Sequence, residues 1–243
     1  MSIERTIVFS TKHQMTIKDR VTPDIDKDPV FMALFEQVLP YTMTSKEALF
    51  ALYTSVNYVL DREIPGDLVE CGVWRGGSSL LAALIMKARK VSDRKLYLYD
   101  TFQGMPAPTE FDVDKRGNTG FEMMEKYADD IGWCYALLEE VQATFSVHNF
   151  EFEIHFVQGD VVETSKTTKP ETISVLRLDT DWYESTAAEL QHFYPRLSTG
   201  GVLIIDDYGA WAGSRKATDE YFSQVPAPML KRIDKEVRLG IKI

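Results

Sequence analysis

From residue 67 onward, short apolar runs alternate with stretches of helical period. DLVECGV (67–73), KLYLYD (95–100), FEIHFVQGD (152–160), ISVLRLD (173–179) and GVLIIDD (201–207) have strand length and strand bounds. Between them, a helix opens at Ser78 or Ser79 and runs through SLLAALIMKA. A second helix spans Tyr183 to Tyr194, and a third takes in Arg215 and Lys216 and ends at Tyr221-Phe222. Alternation of this kind predicts an α/β fold, a mostly parallel sheet with helices on both faces. The stretch from Met229 to Ile243 sets charges among apolar positions and reads as a closing hairpin of edge strands.

Upstream, Leu49, Leu52, Tyr53, Val56, Val59 and Leu60 share one helical face that stops at Pro65-Gly66. Thr44-Ser45-Lys46-Glu47 before it has the spacing of a capping box, Thr44 to Glu47. The first forty or so residues are polar and punctuated by Pro23, Pro29 and Pro40, so they read as irregular. One long insertion, 105–133, follows the second strand and reads as a lid. No repeat or linker divides the chain, so residues 1–243 are expected to form one domain, with 1–62 as an extension.

Composition narrows the chemistry. Of 243 residues, 27 are Lys or Arg and 37 Asp or Glu, a net charge of -10. An acidic surface of this kind repels phosphate backbones and anionic lipid and attracts divalent cations. The longest apolar run, Leu80 to Met86, is far below the roughly 18 residues of a membrane span. The N-terminus has no signal-peptide core, so the expected location is the cytoplasm. Cys71 and Cys134 are too few for a disulfide framework. His13, His148, His155 and His192 have no ligand spacing and read as surface or core residues.

The candidate chemistry sits at strand ends, where open α/β sheets bind ligands. The first strand leads into Glu70-Cys71-Gly72-Val73-Trp74-Arg75-Gly76-Gly77-Ser78, which is not the dinucleotide fingerprint. Asp100 closes the second strand, where an acid accepts from ribose hydroxyls or starts a turn. Asp160, after the third, reads an exocyclic amine or caps a turn. Asp179 and Asp181, then Asp206 and Asp207, end two strands expected to be neighbours. Crowded carboxylates need a cation or a proton, and hard ions such as Mg²⁺ prefer oxygen. Helix capping and turn initiation are the structural alternatives for these pairs. Asp179-Thr180-Asp181 also matches the DxD pattern with which metal-dependent glycosyltransferases hold a nucleotide sugar. No tyrosine is followed four positions later by Lys, which removes the pair used by short-chain oxidoreductases.

At these residues the sequence resembles the macrocin-type sugar O-methyltransferases of antibiotic biosynthesis. The resemblance is carried by YTMTSKEALFALY (41–53), IPGDLVECGVWRGGS (64–78), LYDTFQGMPAPTE (98–110), LRLDTDWYEST (176–186) and YPRLSTGGVLIIDDYGAWAGSRKATDEYF (194–222). It implies a Rossmann-like class I fold: a seven-stranded, mostly parallel sheet ending in an antiparallel hairpin. It implies S-adenosylmethionine as cofactor, Mg²⁺, and a sugar or glycoside as acceptor. Glu70, Gly72, Arg75, Gly76, Gly77 and Ser78 would hold the methionine end, Asp100 the ribose and Asp160 the adenine region, with Phe102 among the cofactor-binding residues. Asp179, Asp206 and Asp207 would be metal ligands and Asp181 the general base, and the insertion after Pro106 would be a mobile lid. Relatives self-associate, and the apolar face near residues 49–60 is where a homo-oligomer would form. Departures are Ala210 in place of a family His, the Lys235-Glu236-Val237 stretch, and residues 1–40, which do not match.

Overall fold

The strands of the predicted alternation form one sheet in a computed structural model, which describes residues 3–8, 14–127 and 134–243. In chain order they are β3 (Asp67–Cys71), β4 (Leu96–Asp100), β5 (Ile154–Gln158), β6 (Ile173–Leu178), β7 (Leu197–Ile205), β8 (Lys231–Arg232) and β9 (Arg238–Ile241). The seven run in the order β5-β4-β3-β6-β7-β9-β8. The first five are mutually parallel, and the terminal β8–β9 hairpin is antiparallel along β7. The order reverses between β3 and β6. Their carboxyl ends therefore diverge into a crevice with no crossover helix above it.

Apolar runs without polar alternation are what a sheet covered on both faces requires. Leu68, Leu98, Val175 and Ile204 pack on one side against helices α1 (Pro29–Val38), α2 (Lys46–Asp61) and α3 (Gly77–Ala88). Val69, Cys71, Leu176, Leu178 and Leu203 pack on the other, against α6 (Val161–Thr167) and α7 (Tyr183–Phe193). Cys71 is fully buried, as its place in the strand suggests, and both cysteines are free. Among the described residues no helix is long and apolar enough to cross a membrane.

The predicted apolar face of α2 is real but is used inside the molecule. Leu49, Leu52, Val56 and Val59 are all buried, each contributing about 1.5–3 kcal/mol by leaving water, so these four side chains pack within the protomer, while Tyr53 and Leu60 of the same face are half-buried. The predicted cap is displaced by one residue. Ser45 is the N-cap, its Oγ accepting from Ala48 N at 3.1 Å. Thr44 is instead drawn toward the sheet, its hydroxyl accepting from Arg177 Nη2 at 3.0 Å, and Glu47 accepts from Thr22 Oγ1. Ser45→Ala is therefore expected to cost about 1 kcal/mol of stability in a denaturation experiment. Unchanged stability in Ser45→Ala would remove Ser45 from the cap position.

The expectation of an irregular start is also corrected. Strands β1 (Ile3–Val8) and β2 (Gln14–Asp19) form an antiparallel hairpin, and α1 follows. Pro29 sits in the first turn of α1, where its missing N–H costs nothing, and Asp28 caps Val30 and Phe31 N. The hairpin is tied down through Arg5, which donates to the carbonyls of Thr42 (2.7 Å) and Thr44 (2.6 Å) and lies 3.2 Å from Asp19.

Two further helices, α5 (Leu138–Ser146) and α6, add to the predicted ones, whereas α8 (Ala212–Phe222) matches the helix that the pattern predicts up to Phe222. The insertion contains α4 (Gly120–Lys126), capped by a Thr119–Glu122 box. Its last residues, 128–133, lie outside the described residues, as does His13. Its first half is fastened by Asp112, which is fully buried. Asp112 accepts from Thr109 N (2.6 Å), Thr109 Oγ1 (2.8 Å) and Tyr183 N (2.7 Å). Trp182 Nε1 donates to Pro106 O at 2.9 Å. A Cβ on Gly213 would stand 1.9 Å from Asp112 Oδ1, so only glycine lets α8 approach this joint.

Candidate active site

A cleft of about 1380 Å³ opens where β3 and β6 diverge. This exceeds the roughly 300–1,000 Å³ of a single small-molecule pocket, leaving room for two ligands side by side. One wall is the β3–α3 loop. Gly72 is left-handed (φ 83°), and a Cβ there would meet the carbonyl of Asp179 at 1.7 Å, so the loop and the end of β6 press together backbone to backbone. Asp100 closes this loop from β4. Its Oδ2 accepts from Val73 N (2.7 Å) and Trp74 N (2.9 Å), its Oδ1 from Phe102 N (2.7 Å). Burial lifts its pKa above the usual carboxylate range, against those three donors.

The floor is a cluster of acids around one guanidinium. Arg177 is 3% exposed in a strand whose other residues are apolar apart from Ser174. It donates to Glu70 Oε1, lies 2.7 Å from Asp179 Oδ2, and donates to Asp206 Oδ1 at 2.6 Å. Burial alone would favour its neutral form, but the charges of Asp179, Asp206 and Glu70 outweigh that and hold it protonated. Carboxylate oxygens of Asp179, Asp206 and Asp207 all lie within 4.8 Å of one another. Burial raises the pKa of each; Arg177 opposes the rise at Asp179 and Asp206, while the neighbouring Asp181 adds to it at Asp207.

Asp181 stands beside this trio in a left-handed conformation (φ 65°), uncommon for a residue other than glycine. Its N–H donates to Asp207 Oδ2 at 3.0 Å. Burial, then the charge of Asp179, pushes its carboxyl up to about 7, opposed by hydrogen bonds from Asp207 and Trp211. Behind it, Thr180 Oγ1 donates to the buried Glu189 at 2.9 Å, and Trp182 packs edge-on to Trp211 at 4.8 Å.

The structure brings most of the predicted residues to this cleft. Gly72, Gly77, Ser78, Asp100, Asp160, Asp179, Asp181, Asp206 and Asp207 line it. Asp160 also caps α6, accepting from Val162 N at 2.9 Å, so the structural alternative holds alongside the exposed position. Four residues named with the cofactor site are not in the lining. Glu70 follows the parity of Leu68 and turns under α3, where it takes Ser79 Oγ and Arg177, and burial raises it to about 7. Phe102 is 1% exposed and joins the core. Arg75 lies over the Trp74 ring and donates to Val8 O at 3.3 Å, holding the N-terminal hairpin. Gly76 packs against Phe145 and Val141. None of His148, His155 or His192 lines the cleft.

Arg177 was not singled out from the sequence as a site residue. Its signal was present: a charged residue inside ISVLRLD, a run otherwise suited to complete burial. The β2 residues lining the cleft, such as Thr16 and Lys18, carried no such signal.

Known proteins share both sequence and fold. The profile of the macrocin O-methyltransferase (TylF) family matches residues 2–238, so it takes in almost all of residues 1–40, which the motifs alone leave unmatched. The chain is 36% identical to demethyldecarbamoylnovobiocin O-methyltransferase of Streptomyces niveus over 182 residues, 74% of this chain and 67% of that one. It is 37% identical to mycinamicin III 3''-O-methyltransferase of Micromonospora griseorubida, over 74% of this chain and 70% of that one. The solved structure of the O-methyltransferase NovP superimposes with a TM-score of 0.73 at 34% identity, covering 83% and 82% of the two chains.

Proposed function

The chain belongs to the macrocin O-methyltransferase family, and from that membership we propose that it methylates a hydroxyl of a sugar or glycosylated natural product, with Asp181 as the general base. The observation that carries this reading is the position of Asp181, beside three clustered carboxylates and facing the same cleft as the β3–α3 loop. The glycosyltransferase alternative finds no support in the family match or the fold neighbour.

Two absent groups fit the residues present. The cleft volume, the loop 72–78 with the amino end of α3, and the acids Asp100 and Asp160 suit an adenosyl amino acid. S-adenosylmethionine, when bound, supplies a methyl group made electrophilic by a sulfonium sulfur. The all-oxygen set of Asp179, Asp206 and Asp207 suits a hard divalent cation, and Arg177 keeps two of the three in place without one. Mg²⁺, when bound, supplies positive charge that lowers the pKa of an acceptor hydroxyl.

The chain's own residues do the rest. A sugar hydroxyl is protonated at neutral pH and a poor nucleophile until its proton leaves. Asp181 takes that proton on its carboxylate, and a pKa near 7 suits a base working at neutral pH. Its bonds with Asp207 and Trp211 set its direction. The cleft holds the acceptor in line with the methyl donor, where positioning supplies much of the acceleration. The insertion, whose Met105, Arg116 and Met123 line the opening, serves as the lid of a single catalytic unit spanning the chain.

The test is calorimetric titration of S-adenosylhomocysteine, followed by methyl transfer to glycosides bearing vicinal hydroxyls, with Mg²⁺ and with chelator. Saturable binding and chelator-sensitive methylation are expected. Absence of S-adenosylhomocysteine binding overturns the reading.

Mg²⁺ binding should also depend on pH. Asp179 and Asp207 hold protons well above the usual carboxylate range without a cation, so a cation must displace them. Affinity is expected to rise with pH as these protons become easier to displace, with proton release seen as buffer-dependent binding heat. A pH-independent affinity would count against these residues as ligands.

A further inference from the structure

The two loops that carry the acids lead into helices whose N-cap residues offer no side-chain acceptor. Loop 179–182 opens α7 on Trp182, and loop 206–211 opens α8 on Trp211. An indole only donates, so neither can accept from the first N–H groups of its helix. Consecutive residues of the insertion supply the acceptors instead. The Asp112 carboxylate takes Tyr183 N at 2.7 Å, and the Val113 carbonyl takes Ala212 N at 2.8 Å. The contact extends on both sides of this pair. Trp182 Nε1 donates to Pro106 O, Asp114 forms an antiparallel bridge with Trp211, and Lys115 N donates to Ala210 O at 2.9 Å. Residues 106–115 therefore cross from one acid-bearing loop to the other.

This brace serves the half of the cluster that Arg177 does not reach. Among the described residues Arg177 forms ion pairs with Glu70, Asp179 and Asp206, not with Asp181 or Asp207. Asp181 stands two positions before Tyr183, and its carboxyl is hydrogen-bonded to Asp207 and Trp211. Asp207 turns directly into the bridge, its carbonyl accepting from Ala210 N (2.9 Å) and Trp211 N (3.0 Å). Carboxylates on separate loops repel one another, so something must keep the loops from parting. Asp112 is fully buried and is not in the cleft lining, so it acts through Tyr183 rather than on a ligand.

We propose that Asp112 is a positioning residue: with Val113 it caps α7 and α8 together, and so holds Asp181 against Asp207 and keeps Asp207 in reach of Asp179 and Asp206. This deepens the methyltransferase reading and rests on it. The first half of the insertion is then part of the catalytic floor, and a cation that binds the three acids depends on a side chain it never touches. Groups that orient metal ligands from outside the ligand set commonly carry 10- to 100-fold in affinity.

The test titrates S-adenosylhomocysteine into the full chain and then Mg²⁺ into the saturated protein, and records near-ultraviolet circular dichroism of the edge-on Trp182–Trp211 pair. Asp112→Ala is expected to weaken Mg²⁺ by about 10- to 100-fold and to reduce the tryptophan signal. Its S-adenosylhomocysteine affinity should stay near wild type, which also reports an intact fold. Asp112→Asn should recover most of the Mg²⁺ affinity, since its amide oxygen still accepts from Tyr183 N while its NH₂ turns to the Thr109 hydroxyl. Thr109→Ala removes a 2.8 Å bond to Asp112 without touching Tyr183, so it should lower the melting temperature but not the Mg²⁺ affinity. If Asp112→Ala does not fold, Gly213→Ala opens the same joint from α8, its Cβ 1.9 Å from Asp112 Oδ1, and should weaken Mg²⁺ likewise. A folded Asp112→Ala that binds Mg²⁺ as wild type overturns the proposal alone. So does a Thr109→Ala that loses as much Mg²⁺ affinity as Asp112→Ala, which would assign the effect to general destabilisation. Wild type that binds S-adenosylhomocysteine but no Mg²⁺ overturns the proposal together with the metal site. Failure to bind S-adenosylhomocysteine overturns the methyltransferase reading and this one with it.

Discussion

Asp181→Asn is expected to lower kcat by about 100- to 10,000-fold while leaving S-adenosylhomocysteine affinity near wild type. The amide has almost the volume of the carboxyl and tolerates the same left-handed backbone (φ 65°), so the turn survives. Asp181 N still donates to Asp207 Oδ2, and Trp211 still has an oxygen to meet. Only the capacity to take a proton is lost. Residual activity should show a pH profile without the ionisation near 7 that burial gives the wild-type group. Near-wild-type turnover with cofactor and metal still bound would remove Asp181 from the role of base.

Arg177→Met is expected to destabilise the fold by about 3–5 kcal/mol at pH 8, because it strands buried carboxylates without their cation. Glu70, Asp179 and Asp206 all face Arg177, and their own pKa values are raised by burial even with it present. A carboxyl that binds its proton more tightly when folded stabilises fully below its unfolded pKa, and that contribution is lost as pH rises through the folded pKa. For Glu70 the window runs from 4.5 to about 7. The variant should therefore be least stable above pH 7 and recover toward pH 5, as Glu70 takes up its proton. Saturating Mg²⁺ should also recover part of the loss at high pH, since it restores positive charge and binds only the folded state. Thermal denaturation at several pH values, with and without Mg²⁺, reads all three effects. A variant equally stable at pH 5 and pH 8 would mean that the acids do not depend on the guanidinium.

The N-terminal hairpin shows where local reading failed. Among its described side chains, strand IERTIV buries only Ile7 and half-buries Arg5, so its alternation is weak. Its stability comes from Arg5 reaching the carbonyls of Thr42 and Thr44, a contact across more than thirty positions that no local window contains. Likewise Pro29 breaks a pattern when read along the chain, yet occupies the one turn of a helix that accepts proline. Glu70 was legible as an acid at a strand tip, but which way it pointed depended on the pairing of β3 with β6. Register places it opposite Arg177, so it became that residue's partner rather than a wall of the cleft.

By itself the sequence determined the alternation of strands and helices, the acids at strand ends and the family resemblance, because each is written in local pattern or motif. Strand order, and so the place where β3 and β6 part, was decided only by tertiary packing. That packing brings Asp179 and Asp181 beside Asp206 and Asp207, and sets Arg177 among them. It also brings Lys18 of β2, Arg116 of the insertion and Lys235 near the last hairpin to the lining of one cleft, from segments more than two hundred residues apart at the extremes. Charge interactions act through space at a few ångströms, so their sign and partner are settled only once the chain has folded.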